Sequence, residues 1–364
     1  MNKLNRYKKS VTLDPSDIDA WINLGNYYYE NFEYEKAIDC FKKVVDDLDR
    51  YNSEAWNNLG LSYSSYGYYD DAIDCFKKAI EINPEDSIGY YNLAYSYEDK
   101  GLEHEKYYQE AIRNHKIALE MDPTMIDSLN NLAFIYIELG NEKKAINYFR
   151  KALRIDPDNL LILNNLAKVY HERSEYKKAE IYYKLALEVS PKNNDILCNL
   201  GDLYLDLRDF DLSIRFYKKS ARYNPYSLEA WNGLGIAYSM KKYFKKAIKC
   251  FKKASKLDPE DEVLFENLAQ SYLNLNMFDE AIQYLEKVLE YRPDDVLIWK
   301  SLGETYREKK EYENSISCLK RAIEISPSSP DLWDSLGLIY EEKNEFSKAE
   351  ECRKKASQCK IRIS

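Results

Sequence analysis

Apolar residues along this chain recur at helical spacing. From Trp56, the next large or small apolar positions are Leu59, Gly60 and Tyr63, at spacings of 3, 4 and 7, which is one helical face. A second stretch follows, with Ala72, Phe76 and Ala79 on one face and charge between them. No stretch alternates apolar and polar as a half-buried strand does. The pattern predicts an antiparallel helix pair, with Gly60 letting the second helix approach closely.

The pair repeats. Trp56-Asn57-Asn58-Leu59-Gly60 returns as Trp231-Asn232-Gly233-Leu234-Gly235 and as Trp299-Lys300-Ser301-Leu302-Gly303. Tyr63, Tyr238 and Tyr306 follow the Trp by seven residues, Phe76, Phe251 and Leu319 by twenty, and Ala79, Ala254 and Ala322 three later. Ten units are predicted: 18–52, 53–86, 87–125, 126–159, 160–193, 194–227, 228–261, 262–295, 296–329 and 330–363. Residues 1–17 read as the second half of a preceding unit, with Leu4, Tyr7 and Val11 offered to the first full repeat. One helix pair cannot bury its apolar surface alone, so the units stack into a continuous core.

Nine of the ten prolines share one repeat position. Eight follow Asp14, Asn83, Asp122, Asp156, Ser190, Asn224, Asp258 or Ser326, and such a pair is expected to open a helix as N-cap and first residue. Arg292 precedes the ninth, and Pro330 starts the last unit. The unit 87–125 carries five extra residues within 101–110, including His104, Tyr107 and Tyr108, expected as a longer loop. In the final helix Arg353 stands where earlier units have Phe, Tyr or Leu, which suits a polar cap on the stack.

The period of 34 with these Trp, Gly, Tyr, Ala and Pro positions resembles the tetratricopeptide-repeat family over essentially the whole chain. The resemblance implies an all-α, right-handed superhelical solenoid whose concave face is lined by the first helix of each repeat. It implies a non-enzymatic scaffold that holds other proteins.

Composition and charge add to this picture. Charged residues are 32% of the chain and Gly and Pro are few, which suits long amphipathic helices. The net charge of −9 opposes nucleic-acid binding, whose affinity comes mainly from neutralised phosphates. No run approaches the roughly 20 apolar residues of a membrane helix, and the N-terminal residues lack the apolar run of a secretory signal. A cytoplasmic location is expected, with no membrane insertion.

Chemistry-bearing residues are sparse. Cys40, Cys75, Cys250, Cys318 and Cys352 share one repeat position and read as small packing residues of a reduced protein. His104, His115 and His171 have no partner at a metal-ligand spacing. His115 replaces a second-helix aromatic and reads as a core histidine. No phosphate-binding glycine loop or nucleophile elbow occurs, and no cofactor is expected. Lysine pairs after the second-helix aromatic (Lys42-Lys43, Lys77-Lys78, Lys218-Lys219, Lys252-Lys253, Lys354-Lys355) read as a solvated outer face interleaved with acid.

The residue before the repeated Leu is Asn23, Asn58, Asn92, Asn131, Asn165, Asn199 or Asn267 in seven units, although core packing does not require Asn and its helix propensity is mediocre. An amide carries both donor and acceptor, so a row of them can hold the main chain of an extended peptide. The row resembles the asparagine ladder of O-linked N-acetylglucosamine transferase. It breaks at Gly233, Ser301 and Ser335. By family geometry the inner face also carries Tyr91, Tyr95 and Phe134 with an excess of acid that includes Glu98, Asp99, Asp127, Asp202 and Asp206. A partner with an extended, Lys- or Arg-bearing segment is expected. The chaperone-binding carboxylate clamp needs first-helix cations that repeats 1 to 3 lack. Three other readings stay open: a substrate-selecting subunit of a transferase, an RNA-binding solenoid, and self-association through a helical end. The period and the acid content oppose the RNA reading.

Overall fold

The structure, a computed structural model, describes residues 3–102 and 104–363, with side chains as far as Lys360. Among these residues every regular element is a helix. The chain forms an all-α solenoid of two compact units, Met1–Glu172 and Arg173–Ser364.

In the first unit, α1 (Lys3–Leu13) precedes first helices α2 (Ile18–Glu30), α4 (Ser53–Tyr66), α6 (Ser87–Gly101), α8 (Ile126–Glu138) and α10 (Leu160–Glu172). The second helices between them are α3 (Tyr34–Lys42), α5 (Tyr69–Ile82), α7 (Lys106–Met121) and α9 (Glu142–Ile155). The second unit begins with α11 (Tyr176–Val189). Its first helices are α12 (Asn194–Asp206), α14 (Leu228–Met240), α16 (Glu262–Leu273), α18 (Val296–Glu308) and α20 (Pro330–Glu342). Its remaining second helices are α13 (Phe210–Tyr223), α15 (Phe244–Leu257), α17 (Phe278–Tyr291), α19 (Tyr312–Ile325) and α21 (Phe346–Ile363). Within each unit, consecutive helices pack on one another.

The tightest contact sets a small residue against a ring. A Cβ added at Gly25 would stand 2.7 Å from the Phe41 ring, at Gly60 2.7 Å from Phe76, and at Gly235 2.4 Å from Phe251. Phe41, Phe76, Phe149, Tyr183, Tyr217 and Phe251 are among the largest fully buried side chains, each lying in this layer. α1 packs on α2, with Val11 buried and Tyr7 edge-on to Tyr27 at 6.1 Å. On α21, Arg353 is exposed and pairs with Glu341, while Ala349, Cys352 and Ala356 are buried beneath.

Most first helices end on a left-handed residue, and most of these are not glycine. Phe32, Gly67, Gly140, Ser174, Arg208, Lys242, Asn276, Lys310 and Asn344 all have positive φ and share one repeat position. The following residue donates its N–H back to the carbonyl of the repeated tyrosine: Tyr68 to Tyr63, Tyr243 to Tyr238, Glu311 to Tyr306. This closure satisfies a carbonyl that the helix end leaves open. It reverses the chain within three residues.

The prolines do not open helices, contrary to the sequence expectation. Asn83, Asp122, Asp156, Ser190, Asn224, Asp258 and Ser326 close the second helices, and the next first helix starts about three residues beyond the proline. At Asp122, Asp156, Asp258 and Asn224 the side chain turns the chain. Asp122 accepts from the Thr124 N–H at 2.9 Å and Asn224 from that of Tyr226 at 3.1 Å. The true caps are Asp17, Asn52, Asp86, Asn193, Ser227, Asp261 and Asp295. Pro330, behind Ser329, is the proline that does occupy a helical first turn. Each Trp pins this connection: Trp21, Trp231, Trp299 and Trp333 donate the indole N–H to the carbonyl of Pro15, Pro225, Pro293 and Pro327 at 2.8–3.0 Å.

Two length changes are absorbed as helix. The extra residue of 18–52 becomes a π-helical stretch, Lys43–Leu48, after α3. The extension in 87–125 is not chiefly a loop: α6 has 15 residues against 13 in α8, and α7 has 16 against 14 in α9. The connection 102–105 includes Glu103, which lies outside the described residues.

The lysine pairs brace neighbouring helices instead of merely facing water. The first lysine reaches the tyrosine of the next repeat: Lys42 over Tyr63, Lys218 over Tyr238 and Lys252 over Tyr272, at 5.4–5.5 Å. The second caps its own repeat's Trp: Lys78 over Trp56 at 5.4 Å, Lys253 over Trp231 at 3.9 Å and Lys355 over Trp333 at 4.5 Å. Such contacts stabilise by about 0.5–1 kcal/mol at exposed sites.

Two outcomes are expected. Gly235→Ala should destabilise by about 1–3 kcal/mol, because the buried Phe251 ring has no free space to yield. Exposed Lys310→Gly should stabilise by roughly 0.5–1 kcal/mol, since left-handed backbone costs a side-chain-bearing residue more than it costs glycine. Thermal and urea unfolding of each variant beside the parent would read both signs.

Candidate functional site

The repeated asparagines lie on the first helices, and their amides run between repeats. Asn92 donates to Asn57 Oδ1 at 2.9 Å, Asn165 to Asn130 at 3.3 Å, Asn267 to Asn232 at 3.4 Å, and Asn58 to Asn26 at 3.3 Å. Asn131 Oδ1 accepts from the side-chain amide of Asn130 at 3.5 Å. Asn23, at the first end, folds back on the Asp19 carbonyl at 2.7 Å and is exposed. Asn92 is buried, and Asn58, Asn131, Asn165, Asn199 and Asn267 are half-buried. The row is therefore an inter-repeat seam. An amide has two donors and one acceptor, so one lateral bond leaves capacity for a second partner.

Around Tyr91 the face becomes aromatic and acidic. Tyr91 and Tyr95 stand on α6, rings 6.5 Å apart, and Phe134 stands on α8, edge-on to Phe149 at 5.9 Å. Tyr95 and Phe134 are more than two-fifths exposed. Asp99 is half-buried and Asp127 exposed, and neither has a cation within 4 Å among the described residues. The Asp99 carboxyl is raised above its ordinary range by burial and by the Glu98 charge. The Asp99 charge, then burial, raises the Tyr95 phenol. Burial first, then Asp127 and Glu98, pushes Tyr91 up to about 12. Burial leads the shifts of Asp99 and Tyr91, and neighbouring carboxylates add to all three.

Beneath this patch sits His115, fully buried. Its Nε2 meets Glu98, its Nδ1 meets Ser128 Oγ at 3.2 Å, and its ring lies 5.7 Å from Tyr91. Ser128, His115 and Glu98 have the members of a nucleophile, base and orienting set. Ser128 is also fully buried, however, with its hydroxyl against Met125 Sδ at 3.0 Å, so no substrate reaches it. The trio is a satisfied core network in which the histidine takes the place of the aromatic ring.

The second unit places Asp202 and Asp206 on exposed positions of α12. Asp202 accepts the hydroxyl of buried Tyr217, and burial with the Asp202 charge raises that phenol strongly. Asp202 thus serves packing as well as facing outward. Sequence reasoning located the asparagines but not their partners, Asn26, Asn57, Asn130 and Asn232. The doublets Asn57-Asn58, Asn130-Asn131 and Asn164-Asn165 were the available signal.

No group of three His, Cys, Asp or Glu among the described residues could hold a metal ion. All seven cysteines are free thiols, and six are buried. Burial pushes Cys40 and Cys75 up to about 12 and Cys198, Cys250 and Cys318 up to about 11. No described helix is long and apolar enough to cross a membrane.

Family models described as tetratricopeptide repeat match residues 125–192, 18–46 with 53–86, 241–304, 75–113 and 195–227, and one described as TPR repeat matches 303–344. The chain belongs to the tetratricopeptide-repeat proteins, a class that mediates protein–protein contacts. No enzyme family is among the matches. The C-terminal part of a TPR repeat-containing protein from Cytophaga hutchinsonii is 20% identical with a TM-score of 0.56, covering 68% of this chain and 99% of its own. A tetratricopeptide repeat protein from Parabacteroides merdae is 20% identical, TM-score 0.45, over 79% and 98%. MamA from Desulfovibrio magneticus is 21% identical, TM-score 0.44, over 46% and 95%. The first of these likenesses is one of fold alone. Among curated proteins none matches.

The thiols give a direct check. A thiol reagent at pH 8 should modify Cys359 quickly and leave the six buried cysteines unreacted until denaturant is added, because the thiolate is the reactive form. More than one fast equivalent in the native protein would contradict the packing described here.

Proposed function

We propose that this protein is a non-enzymatic scaffold whose first-helix face binds an extended, Lys- or Arg-bearing segment of a partner protein. The observation that carries the reading is the uncompensated negative field over exposed aromatic rings around Asp99, Asp127, Tyr95 and Phe134. A cationic side chain seated there gains from the carboxylates and from ring faces, and the aliphatic stem of Lys or Arg packs on Tyr95 or Phe134. The asparagine seam beside it offers the remaining amide groups to a peptide main chain, as in the ladder it resembles. Asp202 and Asp206 extend the same polarity to the first helices of the second unit.

The carboxylate that favours binding also costs folding stability. The pKa of Asp99 is raised in the folded state, so its ionised form is disfavoured there. That penalty is present above the raised pKa and relieved as pH falls through it. Asp99→Asn should therefore melt no lower than the parent at pH 7.

The test is fluorescence anisotropy with a library of labelled 12-residue peptides rich in Lys or Arg. Asp99→Asn and Tyr95→Ala should each weaken the best binder several-fold, and parental affinity should fall on acidification at a higher pH than an ordinary carboxylate would dictate. Changing Asn58, Asn92, Asn131 and Asn165 together to Ala tests the seam. Loss of binding with helicity retained supports a main-chain clamp. Should no cationic peptide bind, or should all three variants bind as the parent does, the reading is wrong.

A further inference from the structure

The second unit carries a face of opposite sign. α15 has six lysines, Lys245, Lys246, Lys249, Lys252, Lys253 and Lys256, and no acidic residue. α13 adds Arg215, Lys218, Lys219 and Arg222 against one acid, Asp211, which is already paired with Lys241 at 2.5 Å. All ten cations are exposed, and among the described residues none makes an ion pair within 4 Å. Their spacings of 3, 4 and 7 put them on one face of each helix. In a chain of net charge −9 this is a segregated basic patch, not the interleaved stripe that the lysine pairs suggest in sequence.

The patch surrounds a groove. Lys218 and Arg222 from α13 and Lys246 and Lys249 from α15 flank a floor made by Trp231, Leu234 and Tyr238 of α14, with a volume of about 350 Å³. The floor is recessed: Leu234 and Tyr238 are buried and Trp231 is half-buried. We propose that this groove docks an acidic peptide segment of a partner, with one apolar side chain on the floor and Asp or Glu residues against the four cations.

Charge complementarity sets the sign of the occupant, and the shape sets its class. The patch is two helices wide and, at 14 residues per helix, about 21 Å long. On one side α17 carries Asp279, Glu280, Glu286 and Glu290. On the other, α11 carries Glu180 and Glu188 among its lysines. A long polyanion would overrun the patch onto acid on the α17 side, whereas a short acidic segment ends within it. A recessed floor accepts a protruding side chain and presents nothing to insert into a bilayer.

The experiment uses the full chain and a labelled 12-residue peptide of Asp and Glu with one central Phe, read by anisotropy at 50 and 200 mM NaCl. Binding should weaken about tenfold in Lys218→Gln/Arg222→Gln/Lys246→Gln/Lys249→Gln. It should also weaken with the higher salt, and when the peptide's Phe is replaced by Ser. Because Lys218 and Lys246 also rest on Tyr238, the double variant Arg222→Gln/Lys249→Gln, which touches no ring, should retain the parental melting point and still lose several-fold in affinity. A control with Lys106, Lys116, Lys143 and Lys177 changed to Gln has the same net charge as the quadruple variant and should bind as the parent does. Equal binding by the quadruple variant and the control would overturn the proposal. So would preference for a 12-nucleotide oligo(U) or for phosphatidylserine vesicles over the peptide, or peptide-induced dimerisation in light scattering with the cationic groove unprotected.

Discussion

Everything in this molecule depends on how closely two helices of a repeat can approach. A glycine or alanine on the first helix lies under a ring or Leu of the second, and at Gly25, Gly60 and Gly235 there is no room for another carbon. That contact fixes the spacing of each hairpin. The spacing in turn places the repeated tyrosine where its carbonyl can close the helix end, and the Trp where its indole reaches the turn carbonyl. Because each of these interactions is local or between neighbours, stability builds up repeat by repeat, without long-range pairing.

The same locality explains what was legible in the sequence. The period, the helix pairs and the core positions were readable, because burial demands specific residue types at Trp231, Leu234, Gly235 and Phe251 and at their equivalents. The turns were not. Glycine marks the left-handed helix end at Gly67 and Gly140, but Phe32, Arg208, Lys242 and Lys310 adopt it with no sequence signature, held there by the tertiary geometry around them. The prolines misled for a related reason. An Asp-Pro pair opens a helix when the chain is free to continue, but here the Asp ends one helix and its carboxylate turns the chain toward the next cap. Likewise, the asparagine row was visible as a pattern, while its bonding across 35 residues depends on the spacing of adjacent repeats, which no single repeat encodes.

Because the core uses only a few positions in 34, the remaining surface can take charge freely, and two stretches of it are sorted rather than mixed. The first-helix face around Asp99 and Asp127 is acidic and aromatic, and the second-helix face of α13 and α15 is basic. Lysines on the latter stabilise the fold through the rings beneath them, so the basic face has a structural origin whatever else it does. What packing does not explain is the absence of neighbouring acid on α15. The homologous positions of α5 and α17 carry Asp or Glu beside lysine, and those helices fold as well. Charge purity on one helix is thus additional to the structural requirement, which is why it bears on binding.

Repeat 87–125 shows how departures from the pattern cluster. His115 replaces the aromatic that fills the hairpin elsewhere, and a buried imidazole needs partners that a phenyl ring does not. Glu98 and Ser128 supply them, from the first helix of the same repeat and of the next. Glu98 then repels Asp99 on the adjacent position, helping to raise its pKa, and the field reaches Tyr91 and Tyr95. The longer helices α6 and α7 belong to the same repeat, with Gly101 leaving space for the buried Tyr108 ring. A chain selected for stability alone would place a phenyl ring at 115 and leave 99 uncharged. Two polar choices in one hairpin, at a patch where exposed rings and unpaired carboxylates coincide, form the pattern expected where packing yields to recognition.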